Sequence, residues 1–538
     1  ALHGNPPYIN TLEEPKKTFS NQILILFSKS EKMVRTGKSF GGHLACLYSY
    51  LVFHLNPFWI QLFYFITVSF VGFLVLIVMD TRTNSFNPSN FNTFFMSVSA
   101  STVSSMSTVE MEVFSNAQLI VLTILMFVGG EVFTSLLGLQ LAKTKLRRSD
   151  KIDNNPTSPV DHIELGYVNT NLDFENKNLD QVIVREDLKN NSYRYLVFVV
   201  LGFLLVTIVG GLIFVTMYLI FVPSASEVLQ SKGLKLGTFS VFTVVSTFTN
   251  CGFVPTNENM IVFKNNSGLL LLLIPQVLFG NTLYPSCLRL VIWSLARFTK
   301  KPEFGYMLEN TREMGYTHLF SGLHSWLLVV TVFGFILVQF ILFCSLEWSS
   351  GSLDGLNSYE KVVGALFQTV NSRHTGESIV DISIISPAIL VLFVVMMYLP
   401  PYTSFLPIKD DVESLRSFDE KKKGKAKLIE NILFSHLGYL VIFIILICIT
   451  ERKKMKDDPI NFSILNIVIE VISGYGNVGF TTGYSCKKQL NADSFCKDAW
   501  YGFVGRWGNG GKLILIVVMY FGRLKKFNMQ GGRAWKLL

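Results

Sequence analysis

Charged residues are scarce in this chain. They make up 16% of its 538 residues, whereas hydrophobic residues make up 50%, and the mean hydropathy is +0.40. This balance is unlike that of a soluble enzyme and is typical of a protein that crosses a membrane several times. The sequence also lacks a nucleophile–histidine–acid set and metal-ligand spacings, so we expect neither catalysis nor a bound cofactor.

Other signals are missing as well. No basic–aromatic soluble module is present, which argues against nucleic-acid binding despite a net charge of +9. No nucleotide-binding sequence is present, so we expect no process driven by nucleotide hydrolysis. The first 56 residues lack the short apolar core and cleavage site of a signal peptide. The seven cysteines form no disulfide or zinc framework, but Cys486 and Cys496 share one predicted external loop, where a disulfide is an open alternative.

Long apolar stretches, by contrast, are frequent. A helix needs about 20 apolar residues to cross a bilayer. The clear candidates are residues 57–79, 119–141, 195–222, 269–293, 319–346 and 429–449, and the weaker ones are 387–406 and 512–523. Eight spans place both termini on one side of the membrane.

Basic residues cluster on that same side. They lie in the N-terminal segment and in loops at 143–148, 300–301 and 421–427. By the positive-inside rule, these segments and both termini are cytoplasmic. Residues 452–456 are also basic and would lie outside, so the assignment follows the majority of the loops.

Four short segments between the apolar stretches resemble one another. They are residues 104–108, 251–255, 375–379 and 478–482. We call their second residues the filter positions, and these are Ser105, Gly252, Gly376 and Gly479. A segment too short to cross a bilayer precedes each one, at 91–101, 236–247, 359–370 and 462–473. We interpret these four as re-entrant half-helices.

Non-helical backbone at membrane depth persists only where it is buried in protein or lines water, so four such loops predict a central pore. Half-helices that direct their C-termini at the pore favour a cation there, and loop carbonyl groups replace its water shell. The alternative is that the glycines only break helices. The predicted fold is an all-α polytopic membrane protein with four membrane–pore-loop–membrane units, eight spans and four re-entrant half-helices, around one pore.

The predicted boundaries follow from this repeat. We expect a cytoplasmic N-terminal segment at 1–56, pore units at 57–145, 195–298, 319–407 and 429–538, and cytoplasmic linkers at 146–194 and 408–428. The second linker is basic. The part at 150–189 is polar and rich in Asn and Asp, which predicts a mobile segment.

Six sequence stretches carry a resemblance to a known family. They are SSMSTVEMEVFSN at 104–116, NCGFVPTNENM at 250–260, FGNTLY at 279–284, NSRHTGE at 371–377, NVGFTTG at 477–483 and GRL at 522–524. The chain resembles the Trk/Ktr/HKT superfamily of cation transporters, most closely the plant high-affinity K⁺ transporter (HKT) proteins. The resemblance implies a fourfold pseudosymmetric pore, a homodimer, the plasma membrane, and Na⁺ retrieval from the transpiration stream, hence a role in salt tolerance.

The first filter position bears on which ion passes. In this family Ser there resembles the Na⁺-selective subfamily 1, whereas Gly goes with members that also carry K⁺. The Cβ and hydroxyl of Ser105 would narrow or disorder one quarter of the set of oxygen atoms that surrounds K⁺. Asn250 precedes the second segment, where a carboxylate would favour K⁺ entry. The neutral amide agrees with Na⁺, although an amide that only caps the loop explains it equally.

The predicted ion site takes three residues from each loop. They are Ser104, Ser105 and Met106; Cys251, Gly252 and Phe253; Thr375, Gly376 and Glu377; and Val478, Gly479 and Phe480. Na⁺ is expected at the four filter positions as the transported ion. The predicted function is Na⁺-selective passive transport, and the alternative is a Na⁺/K⁺ symporter or K⁺-permeable pathway on the same fold.

Charged residues near the membrane complete the set. The resemblance places Arg523 at the pore below the filter, as an electrostatic barrier to cations; the alternative is that it snorkels to the cytoplasmic surface. Glu110, Glu377 and Asp381 are expected at the outer mouth, where they either concentrate cations or form ion pairs, the second role being favoured for Asp381. Glu131 lies within a span and needs a basic partner from a neighbouring unit.

Overall fold

The computed structural model describes residues 57–82, 88–141, 172–404, 436–489, 496–499 and 501–528. These residues form helices and no strand, apart from an isolated bridge between Tyr484 and Ala499. By the clustering of its contacts, the chain divides into residues 1–60 and 61–538. Only residues 57–60 of the first part are described, as the start of a helix, and all the predicted site residues belong to the second part.

The helices of the described residues are numbered in chain order. They are α1 (Pro57–Val78), α2 (Asn90–Ser101), α3 (Asn116–Gly129), α4 (Glu131–Leu141), α5 (Leu172–Phe221), α6 (Pro223–Ser231), α7 (Leu236–Phe248), α8 (Ser267–Gly280), α9 (Tyr284–Thr299), α10 (Pro302–Glu309), α11 (Gly322–Glu347), α12 (Ser358–Asn371), α13 (Pro387–Tyr398), α14 (His436–Thr450), α15 (Arg452–Asp457), α16 (Ile464–Gly476) and α17 (Asn509–Asn528).

Several of these helices have the length and composition of membrane spans. Among the described residues, α1, α5 and α11 are each long and apolar enough to cross a membrane, and two bent pairs, α3–α4 and α8–α9, raise that number to five. Large apolar side chains such as Phe70, Phe214 and Phe333 are exposed on the long helices. A surface of this kind suits lipid rather than water.

Two predicted spans are not continuous helices, although each bent pair is long and apolar enough to count as one span. The span at 119–141 bends by 52° where α3 ends, because Gly130 leaves the helical region with φ −59° and ψ 149°. The span at 269–293 bends by 83° between α8 and α9. There Asn281 is non-helical, and Pro285 lies in the first turn of the next helix, a place that proline tolerates well.

Other boundaries also differ from the prediction. Helix α5 begins at Leu172, so the polar segment predicted at 150–189 is helical from that residue onward, and its mobility stays a prediction. Residues 172–189 contain no proline or glycine that would stop a helix. Helix α13 ends at Tyr398, before Pro400 and Pro401, and is shorter than the span predicted at 387–406. Residues 429–435 of another predicted span lie outside the described residues.

All four predicted half-helices are helices in the structure, namely α2, α7, α12 and α16. Three of them begin with a side-chain cap, in which an oxygen of Ser89, Asn357 or Ser463 accepts a hydrogen bond from a backbone N–H of the first turn. Their C-terminal residues are mostly buried. The partial negative charge of each helix end therefore lies inside the protein.

Three glycines allow other helices to approach the ends of these half-helices closely. The pairs are Gly129 with Ser101, Gly280 with Phe248, and Gly522 with Tyr475. In every pair, a Cβ added to the glycine would overlap the carbonyl oxygen of its partner. Backbone-to-backbone packing therefore fixes where the first, second and fourth half-helices end.

Gly280→Ala should destabilise the protein, because its added Cβ requires α7 and α8 to separate. Overpacking of this kind costs about 1–3 kcal/mol, which we expect to appear as a lower unfolding temperature of the protein in detergent. Gly210→Ala in α5 is the control, since nothing lies within 4 Å of its added Cβ. Equal unfolding temperatures for the two variants would contradict the close approach.

Candidate functional site

The four filter positions share a left-handed backbone. The angle φ is +52° at Ser105, +87° at Gly252, +73° at Gly376 and +100° at Gly479. Glycine adopts this conformation freely, whereas a residue with a Cβ does so at a cost of roughly 1–2 kcal/mol. Ser105 thus has the backbone conformation of the three glycines in spite of its side chain.

Each loop leaves its half-helix through a hydrogen bond from a loop N–H to a carbonyl five residues earlier. The bonds join Ser104 to Ser99 (2.8 Å), Cys251 to Ser246 (2.9 Å), Gly376 to Asn371 (3.1 Å) and Val478 to Ser473 (3.0 Å). In the first, second and fourth loops the donor precedes the filter position, whereas in the third it is the filter position itself. The third loop is therefore one residue shorter at this point.

Neighbouring loops are in contact at the filter positions. A Cβ added to Gly252 would overlap the carbonyl oxygen of Thr375. One added to Gly376 would overlap that of Val478, and one added to Gly479 would overlap the side chain of Ser105. Around the filter, the loops therefore lie in the order second, third, fourth and first. The contact between each of these loops and the next leaves no space for a further side chain.

The first and second loops are joined further along the chain. Asn257 accepts a hydrogen bond from the Glu112 N–H at 3.2 Å, and its own N–H donates to the Glu112 carboxylate at 3.2 Å. The Asn257 amide also donates to Glu110 at 3.4 Å. With these contacts every loop is linked to the next, in the order of the sequence.

Two asparagines connect alternate pairs of loops. Asn250 Nδ2 donates to Thr375 Oγ1 at 2.6 Å, and Asn477 Nδ2 donates to Ser104 Oγ at 2.8 Å. Both asparagines are buried and have a left-handed backbone. The interpretation of Asn250 as only a cap of its own loop is therefore incomplete, because its amide also holds the next loop.

The filter positions border open space, whereas most of their neighbours do not. Ser105, Gly252 and Gly479 line one cavity, and Gly376 and Gly479 line a second. The flanking predicted site residues are all buried, and they are Ser104, Met106, Cys251, Phe253, Thr375, Glu377, Val478 and Phe480. Apart from Phe253, which also lines the first cavity, they direct side chains into protein.

A third cavity, which we call the inner cavity, lies at the ends of α13, α16 and α17. Glu131, His374, Tyr398 and Lys525 are among the residues that line it. Lys525 donates a hydrogen bond to the Tyr475 hydroxyl and lies 5.6 Å from the centre of the Tyr398 ring. A positive charge therefore borders this cavity.

Arg523 does not extend to the surface. Its side chain is 1% exposed, its guanidinium donates to the carbonyl oxygen of Gly129, and it lies 5.6 Å from the ring centre of Phe65. The contact with Gly129 joins the fourth unit to the first. This geometry disagrees with the snorkelling alternative, and the barrier role stays a prediction.

The placement of Glu377 at the outer mouth was wrong. Its side chain is fully buried, and its Oε1 accepts a hydrogen bond from the Thr247 hydroxyl at 2.5 Å. The side chain turns back behind the loop toward α7, which sequence position alone does not reveal. The Asp381 carboxylate accepts a hydrogen bond from the N–H of Ser383 at 2.9 Å, within its own turn, which is not the ion pair predicted for it.

The buried acid Glu131 contacts His318 and Tyr402. His318 Nε2 lies 3.1 Å from Glu131 Oε1, and the Tyr402 hydroxyl donates to the same oxygen at 2.8 Å. His318 precedes α11, the first helix of the third unit, so the basic partner does come from outside the unit of Glu131. The cluster closes one side of the inner cavity.

Cys486 and Cys496 form a disulfide. The sequence left this pairing open, and it fits a loop on the oxidising, external side of a membrane.

Comparison with known proteins identifies the family. The TrkH family, described as cation transport protein, matches residues 178–529. The chain belongs to the TrkH family. It is also 53% identical over 469 residues to the sodium transporter HKT1 of Arabidopsis thaliana, which covers 86% of this chain and 91% of the relative. It is 50% identical over 494 residues to the rice cation transporter HKT1;3, with coverages of 90% and 92%.

The resemblance to plant HKT proteins is thus confirmed. The potassium transporter TrkH of Vibrio parahaemolyticus aligns over 89% of this chain and 85% of its own, with 14% identity and a TM-score of 0.47. The assignment rests on the family match and the plant relatives. As a TrkH family member, the chain is a multi-pass membrane protein that transports cations, and it is not an enzyme.

Glu377 and Thr247 should be energetically coupled. Glu377→Ala and Thr247→Val each remove the same hydrogen bond, so the double variant should be more stable than the sum of the two losses predicts. The coupling should be about 1 kcal/mol, the net contribution of one such bond. Thermal unfolding of the four proteins in detergent measures it. Strictly additive losses would mean that the two side chains act independently.

Proposed function

We propose that this TrkH family member is a Na⁺-selective passive transporter of the plasma membrane. Na⁺ would pass through a filter made by Ser105, Gly252, Gly376 and Gly479. The observation that carries the proposal is Ser105, which combines the left-handed backbone of the glycines with a side chain directed against Gly479.

The physical argument concerns space and oxygen contacts. K⁺ is the larger ion and prefers more and longer contacts with oxygen than Na⁺ does. The four filter positions form a ring around the ion. A Cβ and a hydroxyl at one of them narrow this ring and alter one quarter of its oxygen contacts with the ion. A narrower ring with a hydroxyl beside it favours the smaller ion.

Asn250 supports the same choice by a different route. Its amide donates to Thr375 Oγ1 and to the Val277 carbonyl oxygen at 3.2 Å. A carboxylate has no hydrogen to donate and would face that carbonyl with negative charge. The amide therefore keeps the second and third loops together without adding a charge that attracts K⁺.

The relatives support the proposal only in part. The 53% identical protein from Arabidopsis thaliana bears the name sodium transporter. The 40% identical rice protein HKT2;4 is named only as a cation transporter. The alternative remains a Na⁺/K⁺ symporter or a K⁺-permeable pathway on the same fold.

Other features belong to the same proposal. The transported Na⁺ needs no cofactor, and its flow follows the concentration gradient and the membrane potential. We further propose cytoplasmic termini, four pore units with the predicted boundaries, a homodimer with one pore per subunit, and a contribution to salt tolerance.

Two-electrode voltage clamp of oocytes that express the chain tests the selectivity. With bath Na⁺ and K⁺ varied separately, the reversal potential should follow Na⁺ and barely respond to K⁺. Ser105→Gly should raise K⁺ permeation, because the ring gains the space of a Cβ. Ser105→Ala is the matched variant, since it keeps the Cβ and removes only the hydroxyl.

The two variants separate ring size from the added oxygen. If size decides, Ser105→Ala stays Na⁺-selective; if the hydroxyl decides, it resembles Ser105→Gly. A wild-type reversal potential that tracks K⁺ as strongly as Na⁺ would reject Na⁺ selectivity. Unchanged K⁺ permeation in Ser105→Gly would reject the account of Ser105.

Arg523 provides a second electrical test. Arg523→Gln should raise inward current or weaken rectification, because it removes a buried positive charge near the path of the cation. Arg523→Lys keeps the charge and should keep the wild-type current–voltage curve. At equal surface expression, identical curves for wild type and Arg523→Gln would contradict the barrier role.

A further inference from the structure

Four side chains occupy the same place on the half-helices. Each lies three residues before the carbonyl that accepts the hydrogen bond from the loop N–H. They are Met96, Thr243, Gln368 and Glu470. We call this place the support position. It is nine residues before the filter position in three units and eight in the third, where the loop is one residue shorter.

In the first and third units the support position holds the loop from behind. Met96 Sδ lies 3.5 Å from Ser107 Oγ, and Gln368 Oε1 lies 3.1 Å from Ser378 Oγ. Both serines are the second residue after the filter position. The N–H of the next residue also donates to the support side chain, at 3.4 Å in the first unit and 3.1 Å in the third.

In the fourth unit Glu470 has the same role. Its side chain is fully buried, and its Oε1 accepts a hydrogen bond from the hydroxyl of Thr481, again the second residue after the filter position. Thr481 Oγ1 in turn accepts from the N–H groups of Gly483 at 3.2 Å and Phe503 at 3.0 Å. Glu470 thus anchors a chain of bonds that runs from the half-helix through the loop to the segment before α17.

The second unit lacks this contact on both sides. The Thr243 hydroxyl has no hydrogen-bond partner among the described residues, and the residue opposite, two after the filter position, is Val254. The second loop is held from the third unit instead, through the bond from the Asn250 amide to Thr375. A support contact is therefore a specific feature of three loops and not an automatic result of the fold.

We propose that Glu470 is a positioning residue for the ion filter, which holds the carbonyl groups of the fourth loop in place through Thr481. This inference rests on the proposed function. The relevant property is the acceptor atom and not negative charge, because Met96 and Gln368 make the equivalent contacts without a charge. Loss of the acceptor loosens the loop next to Ser105, and a looser ring discriminates less against K⁺.

Variants at Glu470 separate the acceptor from the charge. Glu470→Gln keeps an acceptor oxygen and should leave the K⁺/Na⁺ permeability ratio within about twofold of wild type. Glu470→Leu removes the acceptor and should raise that ratio about fivefold, the effect expected from one lost hydrogen bond. Reversal potentials in oocytes give the ratio, and surface labelling gives the amount of protein at the membrane.

Two further variants complete the design. Thr481→Val removes the donor and should reproduce the change seen in Glu470→Leu. If Glu470→Leu does not reach the surface, Thr481→Val alone tests whether this hydrogen bond affects the permeability ratio. Thr243→Val is the matched control, because it alters the support position of the second unit, where no hydrogen bond is made among the described residues. We expect it to keep the wild-type permeability ratio.

Each result bears on one idea only. A wild-type protein that does not select Na⁺ rejects the proposed function itself. A Na⁺-selective wild type with an unchanged ratio in Thr481→Val overturns the role of Glu470 alone. A large change in Glu470→Gln also overturns it, since charge would then matter rather than the acceptor.

Discussion

The structure depends on four left-handed backbone positions held where little water reaches. A loop at that depth must satisfy its N–H and C=O groups within the protein, because no bulk solvent is available to do so. The half-helices meet part of this demand, since a carbonyl near each helix end accepts from the loop. The glycines behind the helix ends and the asparagine amides between the loops then hold the loops in this arrangement.

Close approach of backbones is the second element of the design. Gly129, Gly280 and Gly522 bring a following helix against the end of a half-helix. Because a protein interior is densely packed, such a contact defines a position more sharply than flexible side chains do. None of these three glycine contacts lies at the end of the third half-helix, and the third unit also has the shorter loop. The four units are therefore related in plan and differ in detail.

The sequence predicted the half-helices well, because a short apolar segment before a repeated loop is a local signal. It also identified Ser105 as the departure from three glycines. It did not predict the place of Glu377, whose partner Thr247 lies 130 positions away along the chain. The bends after Gly129 and Gly280 were missed for a similar reason, since apolar composition continues across both breaks. The shorter third loop became visible only through its hydrogen bonds.

The amide bridges divide the ring unequally. Asn250 ties the second loop to the third, and Asn477 ties the fourth to the first. Asn257 ties the second loop to the first, through Glu110 and Glu112. Among the described residues, the seam between the third and fourth loops is therefore the one that no asparagine side chain bridges. Any strain imposed on the ring by an oversized ion would concentrate at that seam. The pore would then open at one place rather than widen evenly.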